Sequence, residues 1–122
     1  MHLLLAQKGT LADEGEAIDL GQTPGRIAVL TAADTEIAVL AAARAARGDG
    51  ADLLRLVNFL QLRHPMSVDQ WIERTGRHAK LVVVRALGGE SYWPYGLEAL
   101  HAASVNHGFK LAVIPGDDKA DA

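Results

Sequence analysis

Apolar residues in this chain fall into short unbroken runs that alternate with stripes of helical spacing. Ile27-Ala28-Val29-Leu30 and Leu111-Ala112-Val113-Ile114 are runs between breakers, and Leu81 to Leu87 is a longer one with three consecutive valines. Runs of this kind predict strands covered on both faces. Leu53 to Val57 is a fourth. Its leucines also fit a helix, but Gly48, Gly50 and Pro65 bound the segment, and a strand ending near Asn58 is preferred. Leu3 to Ala6 predicts a further short strand at the start. Between the runs lie three helical patterns. One runs from Thr35 to Arg47, rich in alanine, with Asp34 as the expected N-cap and Gly48 as the stop. The second begins at Ser67, whose spacing from Gln70 suits a capping box, and reaches His78. Its inner stripe is Val68, Trp71, Ile72, Thr75 and Ala79. The third starts near Ser91, takes Pro94 in its first turn and ends at Gly108.

The resulting order is strand, loop, strand, helix, strand, helix, strand, helix, strand. It predicts a single α/β domain over residues 1–122. The sheet is doubly wound and mostly parallel, with helices on both faces, in a flavodoxin-like or Rossmann-like layout. The loop from Gln7 to Gly25 is long and glycine-rich, and a short extended piece near Ala17 to Leu20 fits within it. Asp117 to Ala122 reads as an acidic tail.

In such a sheet every strand releases its carboxyl end onto one rim, where ligands bind. The loops on that rim are Thr31 to Thr35, Asn58 to Ser67, Gly88 to Trp93, and Pro115 to Asp118. They hold most of the residues that do not read as core: Asp34, Arg63, His64, Ser67, Glu90, Ser91, Tyr92, Trp93, Asp117 and Asp118.

Composition narrows the chemistry. The chain has 122 residues, 49% hydrophobic and 22% charged, as in ordinary globular domains, with a net charge of −3. That balance offers no basic face for a nucleic-acid backbone. Without cysteine there is no disulfide framework, thiolate metal site or thiol nucleophile. The amino terminus lacks the pattern of a secretory leader, and no apolar stretch approaches a membrane span, so no membrane partner is expected and cytoplasm is the default compartment.

His64 is the leading polar candidate. Held extended by Pro65, its imidazole suits a metal when neutral or a carboxylate when charged, or it bonds a backbone carbonyl. The five histidines show no zinc-type spacing except His101 and His107 on one helix, which at six apart do not share a helical face, and no metal site is expected. Gly88 and Gly89 allow close backbone approach, and Tyr92, Trp93 and Tyr95 cluster large rings beside them. Those rings either stack on a flat, partly apolar ligand or pack on the sheet, and packing is preferred for Trp93. Arg85, inside a valine strand, needs an acidic partner or an edge position. Phosphate-binding glycine loops, a receiver-type acidic site, the D-x-H-x-x-G cobalamin pattern (Leu62 and Ser67 occupy its outer positions) and a nucleophile elbow are all missing.

Several strings together resemble the amino-terminal region of the large, corrin-binding subunit of aerobic cobaltochelatase, related to the large subunit of magnesium chelatase. They are Ile18 to Pro24, Val29 to Asp34, Leu62 to Asp69 with Trp71, His78-Ala79-Lys80, Val82 to Gly89, Tyr92-Trp93 with Tyr95-Gly96, and Pro115 to Asp118. The resemblance implies a ligase that inserts cobalt into hydrogenobyrinic acid a,c-diamide during aerobic cobalamin biosynthesis. It also implies a complex using ATP, magnesium and cobalt, with no cofactor held in this domain. The expected partners are the remainder of the large subunit, the ATPase subunits and the corrin. Because that subunit is much longer, the chain is expected to act as one domain of it, inactive alone. His64, Ser67, Gly88, Gly89, Tyr92 and Trp93 are the candidate corrin-contacting residues. A structural or docking role is the alternative.

Overall fold

The computed structural model describes residues 20–48, 53–86 and 93–115. The expected strand at Leu3 to Ala6, the extended piece before Leu20 and the tail after Pro115 lie outside them. The apolar runs form β1 (Ile27–Thr31), β2 (Leu54–Asn58), β3 (Leu81–Ala86) and β4 (Lys110–Pro115). They make one parallel sheet in the order β2-β1-β3-β4. Three helices connect them: α1 (Asp34–Arg47), α2 (Pro65–Arg74) and α3 (Pro94–His107). A 3-10 turn, Phe59–Leu62, leads into α2, and another, Gly76–His78, leaves it.

Right-handed crossovers fix the layers. The chain steps one way from β1 to β2 and the other way from β2 to β3 and β4, so α1 lies on one face and α2 and α3 on the other. Burial agrees. Ala28, Leu30, Val57, Val82, Val84 and Ala86 are all buried and share one face in register. Against them pack Val68, Trp71 and Ile72 of α2, Leu97, Leu100 and Ala103 of α3, and the connecting Phe59, Leu62 and Phe109. Each large aliphatic side chain so buried contributes about 1.5–3 kcal/mol. The stripe expected for α2 is buried throughout, from Val68 to Ala79.

Helix starts depart from expectation. α2 begins at Pro65, before Ser67, and its N-cap is His64, whose Nδ1 accepts the Met66 amide at 3.1 Å. Proline preorganises the first helical position, and the preceding imidazole does the work assigned to the Ser67 hydroxyl. Ser67 is buried instead. α1 begins one position earlier than expected, with Asp34 inside the helix and Ala33 as N-cap. The Asp34 carboxylate is committed elsewhere: its Oδ1 accepts Asn58 Nδ2 at 2.9 Å, joining the ends of β1 and β2. α3 starts at Pro94 itself, later than Ser91, and stops at Gly108, which adopts the left-handed conformation at φ 83°.

The stretch before β1 is a strap along the outer edge of β2. Gln22 Nε2 donates to Leu56 O at 3.2 Å, its Oε1 accepts Trp71 Nε1 at 3.0 Å, and its carbonyl accepts the Thr75 hydroxyl. Arg55 reaches back to Thr23 O at 2.8 Å and Pro24 O at 3.0 Å.

Candidate functional site

The strand order reverses between β1 and β3, so the crevice at their carboxyl ends is the topological switch point. Thr31 ends β1 and pairs in register with Arg85 of β3. The first turn of α1 passes above them and supplies Glu36. Its Oε2 lies 2.8 Å from Arg85 Nη2, and its Oε1 accepts the Thr31 hydroxyl at 2.6 Å. Thr31 Oγ1 also accepts the Ala33 amide at 3.2 Å. The partner that sequence required for Arg85 is thus Glu36, brought to it by the crossover. Arg85 Nε is buried and has no hydrogen-bond partner among the described residues.

The next part of the rim is aromatic. Phe59 and Trp93 stack with ring centroids 4.8 Å apart and planes 15° from parallel. Trp93 Nε1 donates to Leu62 O at 3.0 Å, tying the start of α3 to the turn before His64. Gly96 makes room for this ring, since a Cβ there would collide with the Trp93 indole. In front of the stack is a concavity of about 360 Å3 lined by Phe59, Leu60, Arg63, Trp93, Pro94 and Tyr95. Arg63 is exposed and makes no ion pair among the described residues. Tyr95 closes the far side, its hydroxyl donating to Asp69 Oδ1 at 2.9 Å. That bond to a carboxylate, with lesser help from burial and from the charges of Asp69 and Glu98, raises the Tyr95 pKa above the ordinary tyrosine value.

The six candidate residues separate accordingly. His64 stands on the rim, half-buried, with Nδ1 spent on the α2 cap. Trp93 is on the same rim but buried, its ring stacked and its N–H used, as packing predicted. Ser67 is buried in the first turn of α2. Gly88, Gly89 and Tyr92 lie outside the described residues, as do Glu90, Ser91, Asp117 and Asp118. Exposed faces in the concavity come instead from Arg63, Pro94 and Tyr95. Arg63 was visible in sequence as a non-core rim residue beside His64, and Tyr95 only as one of the rings clustered with Trp93. Nothing in sequence marked Gln22 as the residue that joins the strap, β2 and α2.

No three His, Asp or Glu side chains converge to hold a metal ion among the described residues. No helix there is long and apolar enough to cross a membrane.

The chain is 64% identical over 121 residues to the aerobic cobaltochelatase subunit CobN of a Sinorhizobium species, and 39% identical over 121 residues to the protein of that name from Pseudomonas aeruginosa. Each alignment covers 99% of this chain. The chain matches an amino-terminal domain of the large cobaltochelatase subunit. It spans only 9% and 10% of the length of these two relatives. No family model matches, and no solved structure does. The resemblance of the cobaltochelatase strings, from Ile18 to Asp118, therefore extends to near-complete alignment.

Proposed function

We propose that the chain serves as one domain of the enzyme that inserts cobalt into hydrogenobyrinic acid a,c-diamide in aerobic cobalamin biosynthesis, and that its carboxyl-end rim contacts or encloses the corrin. The observation that carries this reading is the alignment of 99% of the chain with two cobaltochelatase subunits. The rim supports it with a concavity whose floor is backed by the buried Phe59–Trp93 stack and whose open faces are Pro94, Tyr95 and the cation of Arg63. A tetrapyrrole-derived ring with acidic side chains presents matching chemistry: a flat apolar body and peripheral carboxylates. Gly88, Gly89 and Tyr92 complete the proposed contact set with His64, Ser67 and Trp93. His64 and Ser67 act by shaping the start of α2, and Trp93 by forming the floor. ATP and magnesium belong, on this reading, to separate ATPase subunits, and cobalt is the substrate.

Tryptophan fluorescence and amide chemical shifts, followed while the corrin is titrated, test the contact. Quenching that disappears in a Trp93→Phe variant and persists in Trp71→Phe is expected. Unchanged fluorescence and unchanged shifts at saturating corrin would remove the corrin-contact role.

A second reading, a docking module for the remainder of the subunit, is favoured by a different observation. Among the described residues, the α1 face of the sheet is only partly covered.

A further inference from the structure

α1 has fourteen residues and buries none of them fully. It packs over β2 and β1 and leaves β3 and β4 on its side of the sheet without a covering helix among the described residues. The alternation along β3 makes this plain. Val82, Val84 and Ala86 are buried, while Leu81, Val83 and Arg85 are half-exposed. In register beyond them, Ala112 is half-buried and Ile114 exposed. Between α1 and the sheet runs an apolar groove of about 390 Å3 lined by Val29, Thr35, Glu36, Val39, Leu40 and Arg85. Val39 stands on its wall, 68% exposed. At its end lies the buried Arg85 Nε, with no acceptor among the described residues.

Both faces of a largely parallel sheet are normally covered, because each is apolar. A buried donor without an acceptor is a cost that a native assembly removes. The relatives carry about ten times this length of chain, since the match covers 9% and 10% of them. We propose that the α1 face over β3 and β4 is the surface on which the rest of the large subunit docks. The docking segment is aliphatic, fits the groove beside Val39 and Val83, and brings one oxygen acceptor to Arg85 Nε. This rests on the reading that the chain works as a domain of a longer cobaltochelatase subunit.

The chain has no cysteine, so single cysteines report exposure cleanly. Val39→Cys probes the proposed surface. Val105→Cys is the control, because Val105 is 72% exposed on α3, in the opposite layer. Each is placed in the 122-residue chain and in the full-length Sinorhizobium subunit carrying this chain's sequence in place of its matching stretch. Maleimide labelling is followed at that residue by peptide mass spectrometry. Val39→Cys is expected to react readily in the short chain and at least about tenfold slower in the long one, with Val105→Cys equally reactive in both. Equal Val39→Cys rates in both chains, or equal slowing at the two positions, overturns the proposal. So does slow Val39→Cys labelling in the short chain that speeds up on dilution, which identifies a second copy, or on deletion of residues 1–19, which identifies this chain's own amino terminus. Cobalt insertion measured on the same long chain, with the ATPase subunits, ATP and magnesium supplied, keeps the two ideas apart. Protection at Val39 without activity counts against the functional reading alone, and activity without protection counts against the docking surface alone.

Discussion

The two faces of this sheet are built from the same strands, residue by residue, yet they differ in kind. On the α2–α3 side the alternate positions Leu30, Val57, Val82 and Val84 are sealed beneath two helices and a pair of stacked rings. On the α1 side their neighbours Val29, Val83 and Arg85 are half-exposed, and the covering helix is rich in alanine. The lesson is one of division of labour. One layer supplies the stability of the domain and holds the rim in shape. The other carries a polar link, Thr31–Glu36–Arg85, and a groove that contributes little to folding.

The sharpest way to break that contrast is to truncate one residue on each face. Trp93→Ala removes a buried ring, its stack on Phe59 and its hydrogen bond, and is expected to cost about 3–5 kcal/mol in urea unfolding. Val39→Ala, on the exposed wall of the groove, is expected to stay within about 0.5 kcal/mol. Similar losses for both would mean that α1 carries as much of the fold as α2 and α3.

Much of this architecture could be read from sequence because burial and period agree. Val82 to Val84 is a run too short for a helix and too apolar for a loop. The stripe from Val68 to Ala79 is buried as its helical spacing implies, but α2 ends at Arg74, short of the expected His78, and a 3-10 turn at Gly76–His78 carries the rest. Helix starts were harder, because several residues compete to satisfy the first amides. At α2 a histidine before a proline prevailed over a serine in capping-box position. At α1 the best capping residue, Asp34, was drawn to Asn58 across a sequence separation that no local pattern records. The rim was legible as a set of loops. Which side chains remain available there was not, since His64 and Trp93 spend their polar atoms on partners chosen by tertiary packing.

A smaller effect sharpens the packing side of the contrast. Gly96→Ala pushes a methyl group into the Trp93 indole and is expected to cost about 1–3 kcal/mol, with near-ultraviolet dichroism of the tryptophan changed. An unaltered signal would show that the ring has room to move.

On the opposite face, Glu36→Gln weakens the link to Arg85, whose side chain is 39% exposed. Solvent screening limits the expected loss to about 1 kcal/mol, and it should shrink further in high salt. A loss above that of Gly96→Ala would move the polar link from accessory to structural.

The smallest effect belongs to Tyr95. Its hydrogen bond to Asp69 is half open to water, so Tyr95→Phe should cost less than about 1 kcal/mol. The phenol's pKa is raised in the folded chain, chiefly by that bond. Its contribution is therefore complete below the ordinary tyrosine value of about 10 and declines as pH climbs through the raised one. In ultraviolet titration the Tyr95→Phe variant should lack a phenolate transition that wild type shows above the ordinary tyrosine value. Loss of a transition at the ordinary tyrosine value instead would show that Asp69 does not hold the proton in place.

The strap before β1 has one more consequence. Leu54 O accepts Arg44 Nη1 at 3.0 Å and Leu56 O accepts Gln22 Nε2 at 3.2 Å, so side chains occupy two outward carbonyls of β2. A foreign strand arriving at that border finds its acceptors taken. The far border, along β4, has no such guard among the described residues. Among the described residues the two borders of the sheet therefore differ: side chains occupy carbonyls along β2, and none does so along β4.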